Sequence, residues 1–420
     1  MVGATPPVAV LVLGPPRYVG PLGVMRSLGA LGVPVYGLSH RRPSIAGVSR
    51  FSAGSIPGGE DGRPSADPER DLEALCGAGS RLGRGTVLIV GSDEWAFFVA
   101  DHADVLQEWF QFPRVSPALV RRLATKDGLY RLALEHGVPT PRIDFPSSAE
   151  DAARIARELR YPVFMKPVVS RPRGQWKDVA EDAESLLANF ELMAEPGPEP
   201  NVMFQEYIPG RDEDVWMFNG YFDGDSRCLV AFTGQKLRQH PAHMGIATYG
   251  VCRENPEVIT TTVRLLSGVG YRGLVDIGYR YDARDGQYKV LDINPRLGGA
   301  FRLFVDRHGL DVARAMYLDL TGGSVPEVEP WEGRRWVKED ADLIALKYYR
   351  RLEGLKVATW LRHVLKADEG ATFSLRDPLP FVLSIASLAH QTITRRWDRR
   401  LRRGRRAVRR WIQQLRPSTA

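Results

Sequence analysis

Cysteine is scarce in this chain of 420 residues: Cys76, Cys228 and Cys252 stand far apart, with no CxxC and no histidine at ligand spacing. That excludes a disulfide framework, argues against a zinc site and fits a reducing, cytoplasmic setting. The first apolar run, Val8 to Leu13, lacks a basic segment before it and is read as a strand, not a signal peptide. No apolar stretch reaches the ~20 residues of a membrane span; the longest late one is Leu379 to Ala389. No internal repeat is visible. The net charge of +7 is not a property of the whole body, because residues 395–420 hold eleven arginines against one acid, Asp398, which leaves the remainder near −3. A basic tail does not by itself imply nucleic acid, and the main body shows no interleaving of aromatic and basic residues on a sheet face. No nucleic-acid partner is expected.

With 44% hydrophobic and 25% charged residues the chain is globular, and its length allows two or three domains. Val8 to Leu13 ends at Gly14-Pro15-Pro16, and a helical pattern over Pro21 to Leu31 leads to a second strand, Val33 to Leu38. That is a β-α-β start. Thr86 to Val90 repeats it, with Gly91, Ser92 and Asp93 at the carboxyl end, where open α/β sheets place ligands. Gly54 to Pro68 reads as a loop. A new unit opens near Pro117 with helices from Ala118 and over Asp127 to His136, closed by Gly137. Strands follow at Val163–Pro167, Val202–Ile208, Val215–Phe222, Cys228–Thr233, Gly273–Tyr281 and Tyr288–Ile293, several joined by hairpin turns. After about Val325 the sequence changes character. The fold class is α/β, with α+β character in the central part.

The segment Val290 to Gly299 carries the most chemistry. Period two on a strand puts the oxygen donors Asp292 and Asn294 on one face, and Pro295 ends the strand so that Arg296 enters a Gly-rich turn. Two hard oxygen ligands side by side suit Mg²⁺, with waters and substrate phosphates completing its octahedron. Asp276 on the preceding strand supplies a second carboxylate, and the Asp285-Gly286 turn would fold it opposite Asp292.

These residues resemble the metal-binding strand of the ATP-grasp superfamily. By that resemblance Lys126 and Lys166 match the two phosphate-binding lysines, and Gln205-Glu206-Tyr207-Ile208 matches the adenine hinge. The Glu206 carbonyl and the Ile208 N–H would read the adenine edge, Gln205 would face its amino group, and Asp212 or Asp214, on one face of the next strand, would hold the ribose. Chemistry supports the roles independently: compact lysine charges neutralise phosphate oxygens during transfer, and Lys236 after a strand is placed to do so for the γ-phosphate. Arg296 is suited to transition-state charge, since a guanidinium grips carboxylate or phosphate bidentately. Arg302 is a further choice for a substrate carboxylate, and Asp93 and Glu94 for a substrate amine. The pattern departs from the family in two places: Asp276 and Asp292 stand where glutamate is commoner, and the loop 168–177 has one glycine, Gly174, with Arg171, Arg173 and Lys177 in place of small residues.

The resemblance, which covers about residues 1–325, implies a Rossmann-like first domain over 1–117 and a two-lobed ATP-grasp domain over 118–325 with its small lobe at about 140–208; beyond it a mostly helical extension over 326–420 is expected. It implies ATP with Mg²⁺, or Mn²⁺, as cofactors and ligation of a small-molecule carboxylate to an amine, as in stand-alone amino-acid ligases; Arg296 and Lys236 are read as the catalytic groups. The chain shows no biotin-attachment or glutaminase-like segment. A nucleotide-binding scaffold without turnover is the alternative, and the reading allows a homodimer. Apolar residues recur on one helical face from Ile393 to Leu415, filled in by arginine, so 393–415 is expected to meet an anionic membrane surface, an acidic partner or its own domain.

Overall fold

The structure is a computed structural model that describes residues 7–38, 43–168, 177–195 and 200–390. The loop residues Arg171, Arg173 and Gly174 and the segment 393–415 lie outside the described residues.

Three sheets carry the architecture. The first holds β1 (Val10–Leu13), β2 (Val35–Leu38), β3 (Ser52–Ile56), β4 (Thr86–Val90) and β5 (Phe110–Gln111) in the order β3-β2-β1-β4-β5, all parallel. Its central strands VLVL and TVLIV are buried on both faces, as continuous apolar runs in a parallel sheet must be. Helices α1 (Val19–Gly29), α2 (Pro68–Leu82), α3 (Asp93–Asp101) and α4 (Ala103–Leu106) connect them. The stretch 54–68 expected as loop begins within β3, because Ser52 to Ile56 pairs with β2 although its outward residues are exposed.

Helices α5 (Pro117–Ala124) and α6 (Lys126–Glu135) lead into the small lobe. There β6 (Ile143–Asp144), β7 (Val163–Pro167), β8 (Asp178–Ala180) and β9 (Val202–Glu206) form an antiparallel sheet of order β6-β9-β7-β8, backed by α7 (Ala149–Ala156) and α8 (Ala183–Met193). The small lobe has its own apolar core, centred on Met165, Leu186 and Phe204.

The large sheet runs β14-β13-β10-β11-β12-β15-β16, built from β10 (Val215–Phe222), β11 (Cys228–His240), β12 (Ile246–Cys252), β13 (Gly273–Asp282), β14 (Gln287–Asn294), β15 (Arg335–Val337) and β16 (Glu369–Gly370). Helices α9 (Pro256–Gly268), α10 (Val312–Leu320), α11 (Glu339–Leu352) and α12 (Val357–Leu365) cover it. Strand β11 continues through Lys236 to His240, well past the expected end at Thr233. Residues beyond 325 are not only helical, since β15 pairs with β12 and β16 with β15. One apolar core joins the first domain to this sheet, with Leu22 and Met25 against Phe301, Phe304 and Trp336. Buried Asp377 fastens the late chain to the first domain, accepting from Arg26 Nε at 2.9 Å, Ser49 Oγ at 2.7 Å and Arg50 N at 2.9 Å. No helix among the described residues is long and apolar enough to cross a membrane.

Candidate functional site

The β13–β14 hairpin sets the acidic centre. Asp276 pairs with Asn294, and Asp292 stands opposite Gly278, so the two carboxylates are offset along the ladder instead of facing each other. Asn294 Nδ2 ties them together, at 3.4 Å from Asp276 Oδ2 and 3.3 Å from Asp292 Oδ2. Glycine is required around them: a Cβ at Gly278 would run into Asp292 Oδ1, and one at Gly298 into the Asp276 carboxyl at 2.6 Å. Burial raises the Asp276 pKa, with Asp292 adding to it against Arg296 and Lys236. Burial pushes Asp292 the same way, but Lys126, Lys236, Asn294 and Lys166 prevail and hold it below the ordinary carboxylate value. The environment therefore separates two like groups into a readier proton acceptor and a fixed anion.

Lysines converge on Asp292 from three elements. Lys126 opens α6, whose cap is Thr125, with Oγ1 accepting from Gly128 N at 3.3 Å. Lys166 lies on β7 and Lys236 on β11, where its Nζ donates to Gly245 O at 3.1 Å. Burial depresses the pKa of Lys166 well below the usual lysine value, with Lys126 and Lys177 adding to the effect; Lys236 is lowered by burial in spite of Asp292 and Asp276. Lys177, just before β8, is exposed at the surface, and partial burial together with Lys126 still lowers its pKa. Several cations held together by few anions form a receptor for a polyanion.

Arg296 stands behind the carboxylates. It donates from Nε to Asp93 Oδ1 at 3.0 Å, from NH1 to Leu297 O at 3.1 Å and from NH2 to Asn294 Oδ1 at 3.2 Å, and NH1 lies 3.8 Å from Asp276 Oδ2. The Gly-rich turn is pinned to the end of β4 by Leu297 N donating to Val90 O at 3.0 Å, which explains how a residue of the large sheet meets the first domain. Asp93 is therefore engaged by Arg296, and Glu94 pairs with Arg63 at 3.3 Å.

The expected hinge leaves β9 after Glu206, with Gln205 and Ile208 buried and Tyr207 half-buried. Gln205 Oε1 is buried with no hydrogen-bond partner among the described residues, an acceptor that calls for a donor such as an exocyclic amine. The Glu206 side chain is bound to the β13–β14 turn through Arg284 at 2.5 Å.

Two expectations need correction. Asp212 and Asp214 lie in a 3-10 turn before β10, not on a strand, because the polar Arg-Asp-Glu-Asp run precedes the apolar one. Asp212 is buried and already accepts from Gln239 Nε2 at 2.8 Å, His243 Nδ1 at 3.0 Å and the Tyr349 hydroxyl, which leaves it a poor partner for a sugar; Asp214 Oδ2 accepts from Arg211 N at 2.6 Å. Arg302 is likewise not free for substrate: it holds Asp311 and, bidentately at 2.8 Å, Glu369. Asp311 is nine residues on, but Glu369 comes from 67 residues away, which the local pattern could not reveal.

Sequence reasoning passed over Tyr18 and Asn219. Tyr18 sits in the loop after β1 with the Arg296 guanidinium 5.9 Å from its ring centre, and burial raises its hydroxyl pKa. Asn219, fully buried, pairs with Asp276 across β10 and β13. A lone amide inside the apolar strand VWMFNGYF was the available signal.

Among the described residues no three His, Cys, Asp or Glu side chains cluster to hold a metal. Asp276, Asp292 and Asn294 still fit a hard divalent ion that takes its other ligands from phosphate and water. In the present arrangement the Asn294 nitrogen faces the carboxylates, so its oxygen reaches such an ion after the amide turns over.

No family model matches the chain. The D-aspartate ligase of Enterococcus faecium (strain Aus0004) is 27% identical over 294 residues, 65% of this chain and 68% of that protein. An ADP complex of N5-carboxyaminoimidazole ribonucleotide synthetase superposes with a TM-score of 0.60 at 13% identity, covering 84% of this chain and 88% of that one. The biotin carboxylase domain of the 2-oxoglutarate carboxylase of Hydrogenobacter thermophilus, in complex with MgADP and bicarbonate, gives 0.59 at 16%, covering 78% and 72%. The chain thus shares the fold of these two solved structures and has a sequence likeness to D-aspartate ligase.

Proposed function

We propose that the chain is an ATP-dependent carboxylate–amine ligase. A substrate carboxylate oxygen attacks the γ-phosphorus, and the bond to ADP breaks. The amine nitrogen then attacks the acyl carbon, the bond to phosphate breaks, and an amide, ADP and phosphate result. The observation that carries this reading is the convergence of Lys126, Lys166 and Lys236 on the ionised Asp292 beside Asp276 and Asn294. Phosphoryl transfer asks for this arrangement, since its catalysis is positioning plus charge stabilisation.

When bound between Asp276, Asp292 and Asn294, Mg²⁺ would neutralise charge on the phosphate oxygens. Lys126 and Lys166 orient the β- and γ-phosphates, and Lys236 meets the transferred group. Arg296, held by Asp93 and Asn294, keeps its guanidinium aimed at the charge that develops on the acyl phosphate. Gln205 accepts from the adenine amine, and Glu206 and Ile208 offer backbone groups to the ring edge. Asp214 is the better of the two acids for the ribose, because Asp212 is engaged on both oxygens. The likeness to D-aspartate ligase supports an amino acid or a related compound on one side of the amide.

A scaffold without turnover would have no need of this charge set. ADP release with Mg²⁺ over a panel of carboxylates and amines tests the reading: one pair is expected to stimulate it, and Asp292→Asn to abolish the stimulation. Stimulated turnover that survives Asp292→Asn unchanged would remove the metal assignment. From sequence alone we also propose that 393–415 attaches the chain to an anionic surface or acidic partner.

A further inference from the structure

Helix α12 is unusual for its sequence. It reads VATWLRHVL, yet none of its nine residues is buried. One side is fixed inward: Trp360 Nε1 donates to Asp342 at 2.7 Å, and the His363 ring stacks on Tyr249, 5.6 Å between centroids, with Nδ1 at 3.0 Å from Arg238. The other side presents Val357, Leu361 and Leu365 at four-residue spacing, with 46%, 47% and 76% of their surface open to water. Neighbouring segments do the same, including Leu352 at the end of α11, Leu375 at 88% and Leu379 at 59%. Twelve of the nineteen large apolar side chains exposed among the described residues fall between 343 and 385, so the exposure is concentrated and not scattered. Concentrated apolar exposure on a soluble fold marks an interaction surface.

The charges around it choose the partner. Between 343 and 390 the exposed charged side chains are seven cations, among them Lys356, Arg362 and Lys366, against two acids, Glu353 and Asp368. Both acids have company: Glu353 lies 3.4 Å from His243, and Asp368 accepts from Arg335 N at 2.7 Å. The chain continues from this surface into 391–420, where arginine predominates. A second copy would set cation against cation, which opposes pairing. An anionic bilayer complements both features, because apolar side chains enter the headgroup boundary while lysine and arginine meet phosphate.

We propose that α12, the exposed side of α11 and residues 373–385 form a docking surface for an anionic lipid bilayer, independent of the ligase reading. Helix α11 lies over β11 and β12, tied to them by Asp342 accepting from Arg238 and Thr248, and the apolar side chains of the surface face water.

Flotation of the full chain with phosphatidylcholine vesicles, with and without phosphatidylglycerol, tests this. Wild type is expected to float only with the anionic vesicles and to be released by salt. Leu361→Glu/Leu365→Glu, with the tail intact, is expected to lower the bound fraction at least about tenfold, with thermal midpoint and MgATP affinity unchanged. Undiminished flotation of that variant would assign binding to the tail alone and overturn the proposal. So would equal binding to neutral vesicles, absence of binding by wild type, or a lipid-free dimer that the variant abolishes in light scattering.

Discussion

Replacing Arg296 tests the catalytic assignment most sharply. The guanidinium makes three hydrogen bonds, to Asp93, Leu297 O and Asn294, and its side chain is only 11% exposed. If it stabilises charge that appears only on the way to the acyl phosphate, Arg296→Ala should lower kcat by about 10²–10³, or about 3–4 kcal/mol, with the KM for ATP little changed. A competing effect is loss of fold, because removing one partner of a buried pair costs about 3–5 kcal/mol. Asp93 is 44% exposed, which puts the expected cost near the low end. Arg296→Lys separates the two effects: it keeps the charge but not the fork, so it should restore folding more fully than turnover. Substrate-stimulated ADP release at saturating ATP, beside a thermal melt, reads both. A folded Arg296→Ala protein with kcat within about threefold of wild type would refute the reasoning.

Asp292→Asn is expected to weaken MgATP binding more than binding of ATP without metal, and calorimetry with and without EDTA checks it. The depressed pKa values of Lys166, Lys177 and Lys236 imply proton uptake on ATP binding, since a triphosphate restores their charge. Uptake should grow, and affinity fall, as the pH rises through those lowered values toward the usual ~10.4; calorimetry in buffers of different ionisation enthalpy measures it. Asp282 is held below the carboxylate range chiefly by Arg284, with help from Lys289 at 2.7 Å. A lowered carboxylate stabilises above its unfolded value and loses that contribution as the pH falls toward its folded one. Asp282→Asn should therefore destabilise at neutral pH, by less than the about 3–5 kcal/mol of a fully buried pair because Arg284 is 45% exposed, with the gap to wild type narrowing below about pH 3.9 in urea melts.

Strands such as Thr86–Val90, Val163–Pro167 and Val215–Phe222 were legible because their apolar runs are bounded by breakers. Candidate residues that travel in short motifs could be named from sequence, and the structure brings three of them, Asp292, Asn294 and Arg296, together. Partnerships over long sequence separation were not legible. Asp212 looks free in Gly-Arg-Asp-Glu-Asp, yet Tyr349 closes on it from 137 residues away. Arg302 meets Glu369 across 67 residues. The hairpin offset between Asp276 and Asp292 depends on a register shift at Gly278/Tyr279 that no turn residue announces. Strands β15 and β16, three and two residues long, are too short for any periodicity to show.

A crystal structure of the full chain with Mg²⁺ and a non-hydrolysable ATP analogue puts the account to its most direct test. The phosphates should lie within hydrogen-bond distance of Lys126, Lys166 and Lys236, the metal on Asp276 and Asp292, and the adenine amine on Gln205 Oε1. A nucleotide bound elsewhere, or a metal held without Asp292, would contradict it.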